Sequence, residues 1–214
     1  MRVVTGEAKG RKLKAPKTMG TRPIIDRVKT ALFDILSVRV EDARFLDLFA
    51  GTGSVGIEAL SRGAARATFI EMSHNVLKLV RENLRITGLA DRAETLQADA
   101  FKFLQARASK PGRRQAPEAL TEGWGAEQYD IIYVAPPQYH EMAARALALL
   151  DCSPLVAERG LVIIQIHPKE RTGVAAVPLT CLKLIDERRY GSTVLMFYET
   201  DKEQSTDVDT TTEA

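Results

Sequence analysis

Residues 44–62 read Arg-Phe-Leu-Asp-Leu-Phe-Ala-Gly-Thr-Gly-Ser-Val-Gly-Ile-Glu-Ala-Leu-Ser-Arg, and no other stretch constrains the fold so tightly. An apolar strand runs into three glycines, Gly51, Gly53 and Gly56, and an amphipathic helix starts at once. Glycine reaches the dihedrals of such a turn without steric cost, and its missing Cβ lets a ligand come close to the main chain. The first N–H groups of the following helix have no partner inside it and can face a polar ligand. A strand, a glycine turn and a helix form the opening unit of an open α/β sheet, whose ligand crevice lies beyond the carboxyl ends of its strands.

The rest of the chain continues that pattern. Strands are expected at 44–49, 67–71, 93–98, 129–134 and 160–166, with helices at 54–62, 73–87, 99–107 and 139–150. This alternation argues for a parallel sheet covered on both faces. Two more strands, 179–188 and 193–199, are separated only by Arg189-Tyr-Gly-Ser192, which allows a closing hairpin antiparallel to the rest. The fold class is therefore α/β and Rossmann-like: a mostly parallel seven-stranded sheet with a C-terminal antiparallel hairpin and a small N-terminal extension. Within that extension, Gly6, Gly10, Pro16 and Gly20 punctuate a hairpin or extended arm. Thr21-Arg-Pro-Ile-Ile-Asp then opens a helix, with Thr21 or Arg22 near its cap, Pro23 in its first turn, and an apolar stripe at Val28, Ala31, Leu32, Ile35 and Leu36. The expected divisions are 1–39 (basic arm and helix), 40–199 (main domain) and 200–214 (a disordered acidic tail). Residues 108–127, rich in Pro, Gly, Arg and Glu, read as an inserted surface loop.

Gly51-Thr-Gly-Ser-Val-Gly56 fits the dinucleotide-binding GxGxxG fingerprint, and Glu71, twenty residues after Gly51, can accept hydrogen bonds from ribose hydroxyls. Up to this point a nicotinamide dinucleotide and S-adenosylmethionine fit equally well. Three features favour the latter. Asp47 ends the first strand, where a carboxylate suits an ammonium or sulfonium and repels a pyrophosphate. Asp99 follows the third strand, within reach of an adenine amino group, and is also placed to cap the next helix. The fourth strand ends in Ala135-Pro136-Pro137-Gln138, and a Pro-Pro turn holds backbone carbonyls rigidly toward the crevice. Each carboxylate also has a purely structural reading as a loop or helix cap, and their joint placement after the first three strands is what points to a ligand. Met72 and Ala100, beside Glu71 and Asp99, complete the expected cofactor wall.

Charge is uneven. The net value is only +2, yet residues 1–39 hold ten Lys or Arg against three Asp or Glu, leaving twenty against twenty-five elsewhere. A basic arm on a near-neutral body implies an anionic partner, most simply nucleic acid, with a solvated surface segment as the plain alternative. No apolar run reaches the ~20 residues a membrane span needs, and the N-terminus lacks a signal-like apolar stretch. Cys152 and Cys181 form no CxxC pair and no metal-ligand cluster with His74, His140 and His167, so free thiols in a cytoplasmic protein and no metal are expected.

The chain resembles the bacterial methyltransferases that modify a guanine N2 in small-subunit ribosomal RNA. The similarity runs from residue 1 to about 199. It rests on Met1-Arg-Val-Val-Thr-Gly with Lys9-Gly-Arg-Lys-Leu-Lys14, on Thr21-Arg-Pro-Ile-Ile-Asp-Arg-Val-Lys-Thr-Ala-Leu-Phe-Asp-Ile-Leu36, on Asp47-Leu-Phe-Ala-Gly-Thr-Gly53 with Gly56-Ile-Glu-Ala-Leu-Ser-Arg-Gly63, and on Arg189-Tyr-Gly-Ser-Thr. The Thr-Arg-Pro segment is far more specific than the glycine loop. The resemblance implies a class I S-adenosylmethionine-dependent methyltransferase fold, S-adenosylmethionine as donor, and ribosomal RNA or an assembling small subunit as acceptor. Asp47, Gly51, Gly53, Glu71, Met72, Asp99 and Ala100 would hold the donor, with Arg22 near its carboxylate. Lys9, Arg11, Lys12, Lys14 and Lys17 would grip phosphates, with Arg22 an alternative there and Arg113 and Arg114 weaker candidates. A monomer is expected.

One departure stands out. The family carries Asp or Asn, then Pro-Pro, then an aromatic residue; here the motif is Ala135-Pro136-Pro137-Gln138, with Tyr139 one place later. The usual acid or amide and a proline carbonyl both accept hydrogen bonds from the target amine, while the aromatic ring stacks on the base. Losing one such preorganised acceptor costs ~2.7–4 kcal/mol in the transition state. Gln138 or another polar group replaces the acceptor, with Tyr139 or His140 stacking on the base; or the enzyme is slow; or the chain binds RNA without transfer. A nicotinamide-dependent oxidoreductase is a third class, opposed by Asp47 and the Pro-Pro turn.

Overall fold

The computed structural model describes residues 1–16, 24–107, 128–138 and 141–200. The 108–127 loop and the tail beyond Thr200 fall outside these residues, as do Lys17, Arg22, Arg113, Arg114, Tyr139 and His140. No helix among the described residues is long and apolar enough to cross a membrane.

Seven strands form one sheet: β1 (Arg44–Asp47), β2 (Arg66–Glu71), β3 (Ala93–Gln97), β4 (Tyr129–Val134), β5 (Val156–Ile166), β6 (Leu182–Tyr190) and β7 (Thr193–Thr200), in the order β3-β2-β1-β4-β5-β7-β6. The central strands are buried on both faces, which is why they read as apolar runs and not as alternating ones. Among the described residues six α-helices cover the sheet: α1 (Asp26–Leu36), α2 (Ser54–Ser61), α3 (His74–Thr87), α4 (Ala100–Arg107), α5 (Met142–Leu150) and α6 (Arg171–Ala175). Successive strand residues point to opposite faces, so two cores form. Phe45, Phe69, Tyr133 and Ile163 pack with residues of α1, α2 and α3; Leu46, Ile70, Ile132 and Ile164 pack with residues of α4, α5 and α6. The order reverses between β1 and β4, and a crevice at that switch point follows from the topology.

The N-terminal residues fold into a hairpin-like loop, with Val3 N–H donating to the Arg11 carbonyl at 3.0 Å and Gly10 N–H to that of Val3 at 2.9 Å. Val3, Ala8 and Leu13 join the same core as α1 and α2. Buried polar groups fasten the loop: Glu58 on α2 accepts from Val4 N–H at 2.8 Å and Thr5 N–H at 2.9 Å. Asn83 on α3 accepts from Lys14 N–H at 2.8 Å and donates to the carbonyls of Lys14 at 3.1 Å and Thr52 at 3.0 Å.

Four details correct the sequence expectations. The first helix begins at Asp26 after an extended Ile25, not at Thr21 or Arg22; Asp26 places a carboxylate in the first turn, where the helix dipole favours it. Of the closing hairpin only β7 is reversed: it is antiparallel to both β5 and β6, so β6 runs in the direction of β1–β5. Its connection shortens to Gly191-Ser192, because Tyr190 pairs with Thr193 and Gly191 takes a φ of 59°. Finally, Cys152 and Cys181 are joined as a disulfide. Their 29-residue separation hid the pairing; the fold brings the turn after α5 to the start of β6, with the two Cα atoms 5.1 Å apart. Asp151 secures that junction by accepting from Thr180, Cys181 and Leu182 N–H at 2.8–2.9 Å.

Candidate active site

The glycine turn is built as the sequence implied. Gly51 and Gly53 have φ of 53° and 74°, which L side chains rarely adopt, and Gly53 caps α2 in the left-handed region. Gly56 serves packing instead: a Cβ there would lie 2.4 Å from Phe69 Cε1, so glycine lets α2 close onto β2.

Three carboxylates flank this turn. Asp47 ends β1 and is only 2 % exposed; its Oδ2 accepts from Gly56 N–H at 3.1 Å. Burial pushes its carboxyl up to about 7, the Gly56 amide pulls the other way, and the charge of Glu71 adds to the rise. Glu71 ends β2 and bridges two backbone groups, accepting from Gly51 N–H at 3.0 Å and Ser73 N–H at 2.7 Å. Each oxygen keeps a further lone pair for a ligand hydroxyl. Asp99 caps α4 by accepting from Lys102 N–H at 2.9 Å. Its capping role is real, and a single such bond leaves the carboxylate able to accept from a ligand as well.

Two cavities meet at this turn. One, about 160 Å³, is lined by Ile70, Glu71, Met72, Asp99, Ala100, Phe101, Pro137 and Met142. Its wall is aromatic and apolar: Phe49 and Phe101 meet edge to face at 5.8 Å, and Met72 stands 68 % exposed at the rim. The other, about 80 Å³, is lined by Ile24, Asp47, Thr52, Tyr133, Pro136, Gln138 and Gln165. Phe49, Gly51 and Ala135 border both, so the two are contiguous. An extended ligand with an apolar ring at one end and a cation at the other fits them together. Asp47 offers the cationic end a buried carboxylate on which the nearby charge is another carboxylate, Glu71. A larger concavity of about 750 Å³ lies near Gly6, Ser61, Gly63 and Arg92, beyond the far end of α2 and before β2 begins, away from the crevice.

The structure thus gathers Asp47, Gly51, Glu71, Met72, Asp99, Ala100 and Ala135–Gln138 around one crevice, and Gly53 shapes its turn. Arg22 and Tyr139 lie outside the described residues, although Ile24 borders the crevice. The basic residues are spread out. Lys9 sits at the hairpin turn, in the stretch where Glu7 and Ala8 N–H bond to Ser61 at the far end of α2. Lys14 lies at the crevice end beside Thr52 and is paired with Glu82. Lys12, across from Arg2, and Arg11 are exposed between them.

Sequence reasoning missed Phe49, Phe101, Tyr133, Met142 and Gln165. Tyr133 Oη donates to Gln165 Oε1 at 2.6 Å, and burial, with the charge of Asp47, pushes the phenol well above its ordinary range. The available signal was period two: Tyr133 and Ala135 are two apart at the end of β4, so they share a face.

The family model described as conserved hypothetical protein 95 matches residues 1–199. A putative rRNA methyltransferase of Bacillus subtilis strain 168, YlbH, is 32% identical over 201 residues, covering 93% of this chain and 98% of its own. The ribosomal RNA small subunit methyltransferase D of Escherichia coli K12 is 30% identical over 209 residues, covering 98% and 94%. The structure of the putative methyltransferase yhhF from Escherichia coli superposes with a TM-score of 0.76 at 30% identity, over 94% of this chain and 98% of that one.

Proposed function

We infer the function from the premise that this chain belongs to the family described as conserved hypothetical protein 95, together with the ribosomal RNA small subunit methyltransferase D enzymes. It is an S-adenosylmethionine-dependent methyltransferase acting on ribosomal RNA, and its target is the exocyclic N2 amine of a guanine in the small subunit. The observation that carries this reading is the pair of contiguous cavities, with Glu71 and Asp99 on one and Asp47 and Pro136 on the other.

When bound, the donor supplies an electrophilic methyl group on a sulfonium. This chain's residues hold and orient the partners. Phe49, Phe101, Met72 and Met142 enclose the adenine. Glu71 accepts from the ribose hydroxyls and Asp99 from the adenine amine, while Asp47 balances the cationic end. The Gly51–Gly53 turn keeps the main chain close, and Pro136 presents its carbonyl to the guanine amine. The base leaves its stack to reach the Pro136 turn at the edge of the smaller cavity, at a cost of a few kcal/mol offset by pocket contacts, with Tyr139 proposed to stack on it. Lys9, Arg11 and Lys12 contact phosphates along the hairpin, which makes binding salt-sensitive. Lys14 adds to this contact near Thr52, and Lys17 and Arg22 are proposed to grip phosphates as well. The protein works in the cytoplasm, as a monomer.

Transfer of labelled methyl to small subunits that lack their native guanine-N2 methylation, with the labelled nucleotide mapped, tests this reading. Label on a guanine N2 supports it. Cofactor binding without transfer favours an RNA-binding protein that has lost the chemistry, the reading Ala135 keeps open.

A further inference from the structure

Ala135 offers the target amine no side-chain acceptor, and a different strand faces the gap. β4 and β5 are parallel, with Tyr133 level with Ile163 and Val134 with Ile164. One residue further along, Gln165 on β5 comes level with Ala135 just beyond the end of β4. Tyr133, Ala135 and Gln165 therefore share one face of the sheet, and all three border the smaller cavity with Asp47 and Pro136.

Gln165 is held, not loose. Tyr133 Oη donates to its Oε1 at 2.6 Å, from a phenol only 2 % exposed in the core below. That bond uses one of the two lone pairs of the amide oxygen and leaves the other available beside the Pro136 turn. Gln138 borders the same cavity, but it belongs to the loop after Pro137. Gln165 sits on a strand, where geometry is held more tightly than on a loop.

We propose that Gln165, oriented by Tyr133, accepts a hydrogen bond from the guanine amine and so supplies the side-chain acceptor that Ala135 lacks. This assignment rests on the methyl-transfer reading above. During transfer the amine lone pair forms the new N–C bond, and the electrons of the broken C–S bond stay on the donor sulfur. The surplus proton on the nitrogen passes to water. The Gln165 amide stays neutral throughout: it aims the lone pair and stabilises charge developing on the amine, and takes no proton.

The test compares the full-length chain with Gln165→Ala, Tyr133→Phe and the double variant Gln165→Ala/Ala135→Asn. The readouts are kcat, KM for undermethylated small subunits, affinity for S-adenosylhomocysteine and thermal unfolding. Gln165→Ala is expected to lower kcat about a hundredfold or more, as loss of a preorganised hydrogen-bonding group does. KM and cofactor affinity should hold, while the unfolding midpoint should fall modestly in Gln165→Ala because the buried Tyr133 hydroxyl loses its acceptor. Tyr133→Phe should give a smaller fall in kcat, and Ala135→Asn in the Gln165→Ala background should recover at least about tenfold by restoring an acceptor. Native kcat in Gln165→Ala, or a loss matched by weakened cofactor binding, or no recovery in the double variant, overturns the assignment while the methyltransferase reading stands. Absence of transfer by the unmodified chain with cofactor bound overturns that reading, and the assignment with it.

Discussion

Lys29 Nζ lies 2.9 Å from Glu58 Oε2, and the two side chains are 2 % and 0 % exposed. The buried pair centres a wider network: Lys29 also donates to the Arg2 carbonyl at 2.7 Å, and Glu58 accepts from Val4 N–H, Thr5 N–H and Arg62 Nε. Through it the N-terminal hairpin, α1 and α2 are locked together, and α2 carries the glycine turn at its start. Breaking one side of a buried pair costs ~3–5 kcal/mol when it strands the other charge, and here Glu58 keeps Arg62 Nε at 3.0 Å. Lys29→Met is therefore expected to lower unfolding stability in denaturant by less than that full amount. An unchanged midpoint would mean that Glu58 is satisfied without Lys29.

Gly56 should be intolerant of even one methyl group. Its Cβ would meet Phe69 Cε1 at 2.4 Å and Cζ at 2.8 Å, and Phe69 is itself fully buried, so the ring has no free direction to yield. Gly56→Ala is expected to lose about 1–3 kcal/mol of stability and to weaken cofactor binding by tilting α2 away from the turn. Gly88→Ala is the matched control, since its φ is 77° but nothing lies within 4 Å. It should lose only the left-handed penalty of about 1–2 kcal/mol and leave binding intact.

Asp47 makes cofactor binding depend on pH near neutrality. Its folded pKa of about 7 stands above the ordinary 3.8, chiefly through burial. The folded chain therefore holds this proton longer than the unfolded one. Asp47 consequently lowers stability as pH rises from 3.8 toward 7, and does so fully above it. A cationic ligand reverses the preference and favours the ionised carboxylate. Affinity for S-adenosylmethionine should fall by up to about tenfold per unit as pH drops below 7. In Asp47→Asn that dependence should flatten, and stability above pH 7 should exceed that of the native chain. Calorimetric titration across this range checks both.

Glu71 holds the turn and, in the proposed function, accepts from the ribose as well. Glu71→Ala removes the acceptor of Gly51 N–H and Ser73 N–H as well as the ligand hydroxyls. Hydrogen bonds to a charged group are worth ~1.5–3 kcal/mol, so cofactor affinity should fall about ten- to a hundredfold. Glu71→Gln keeps an acceptor oxygen and should lose less. Equal losses in the two variants would show that charge, not hydrogen bonding, is what matters at this position.

Much of this was legible in the chain. Runs such as Phe45-Leu46 and Ile131-Ile-Tyr-Val, short and bounded by turn signals, mark doubly covered strands, because a strand buried on both faces is apolar at successive positions. The places of Asp47, Glu71 and Asp99 followed from counting strand ends. What stayed hidden depends on neighbours far apart in sequence. Gln165 gains meaning only when β5 is laid beside β4 in register, and Cys152 meets Cys181 only once α5 and β6 are packed. The burial of Lys29 was equally hidden, since its partner Glu58 lies on another helix and a lysine in a basic segment reads as surface. The charged N-terminal stretch, read from composition as an arm, lays Val3, Ala8 and Leu13 into the core while Lys9, Lys12 and Lys14 face outward.

The most direct measurement is methyl transfer from labelled S-adenosylmethionine to small ribosomal subunits lacking native guanine-N2 methylation, followed by mapping of the label. The account requires label on the N2 of a guanine in the small-subunit RNA, with a rate that collapses in Gln165→Ala. Bound cofactor with no label, or label on another atom or another class of RNA, would contradict it.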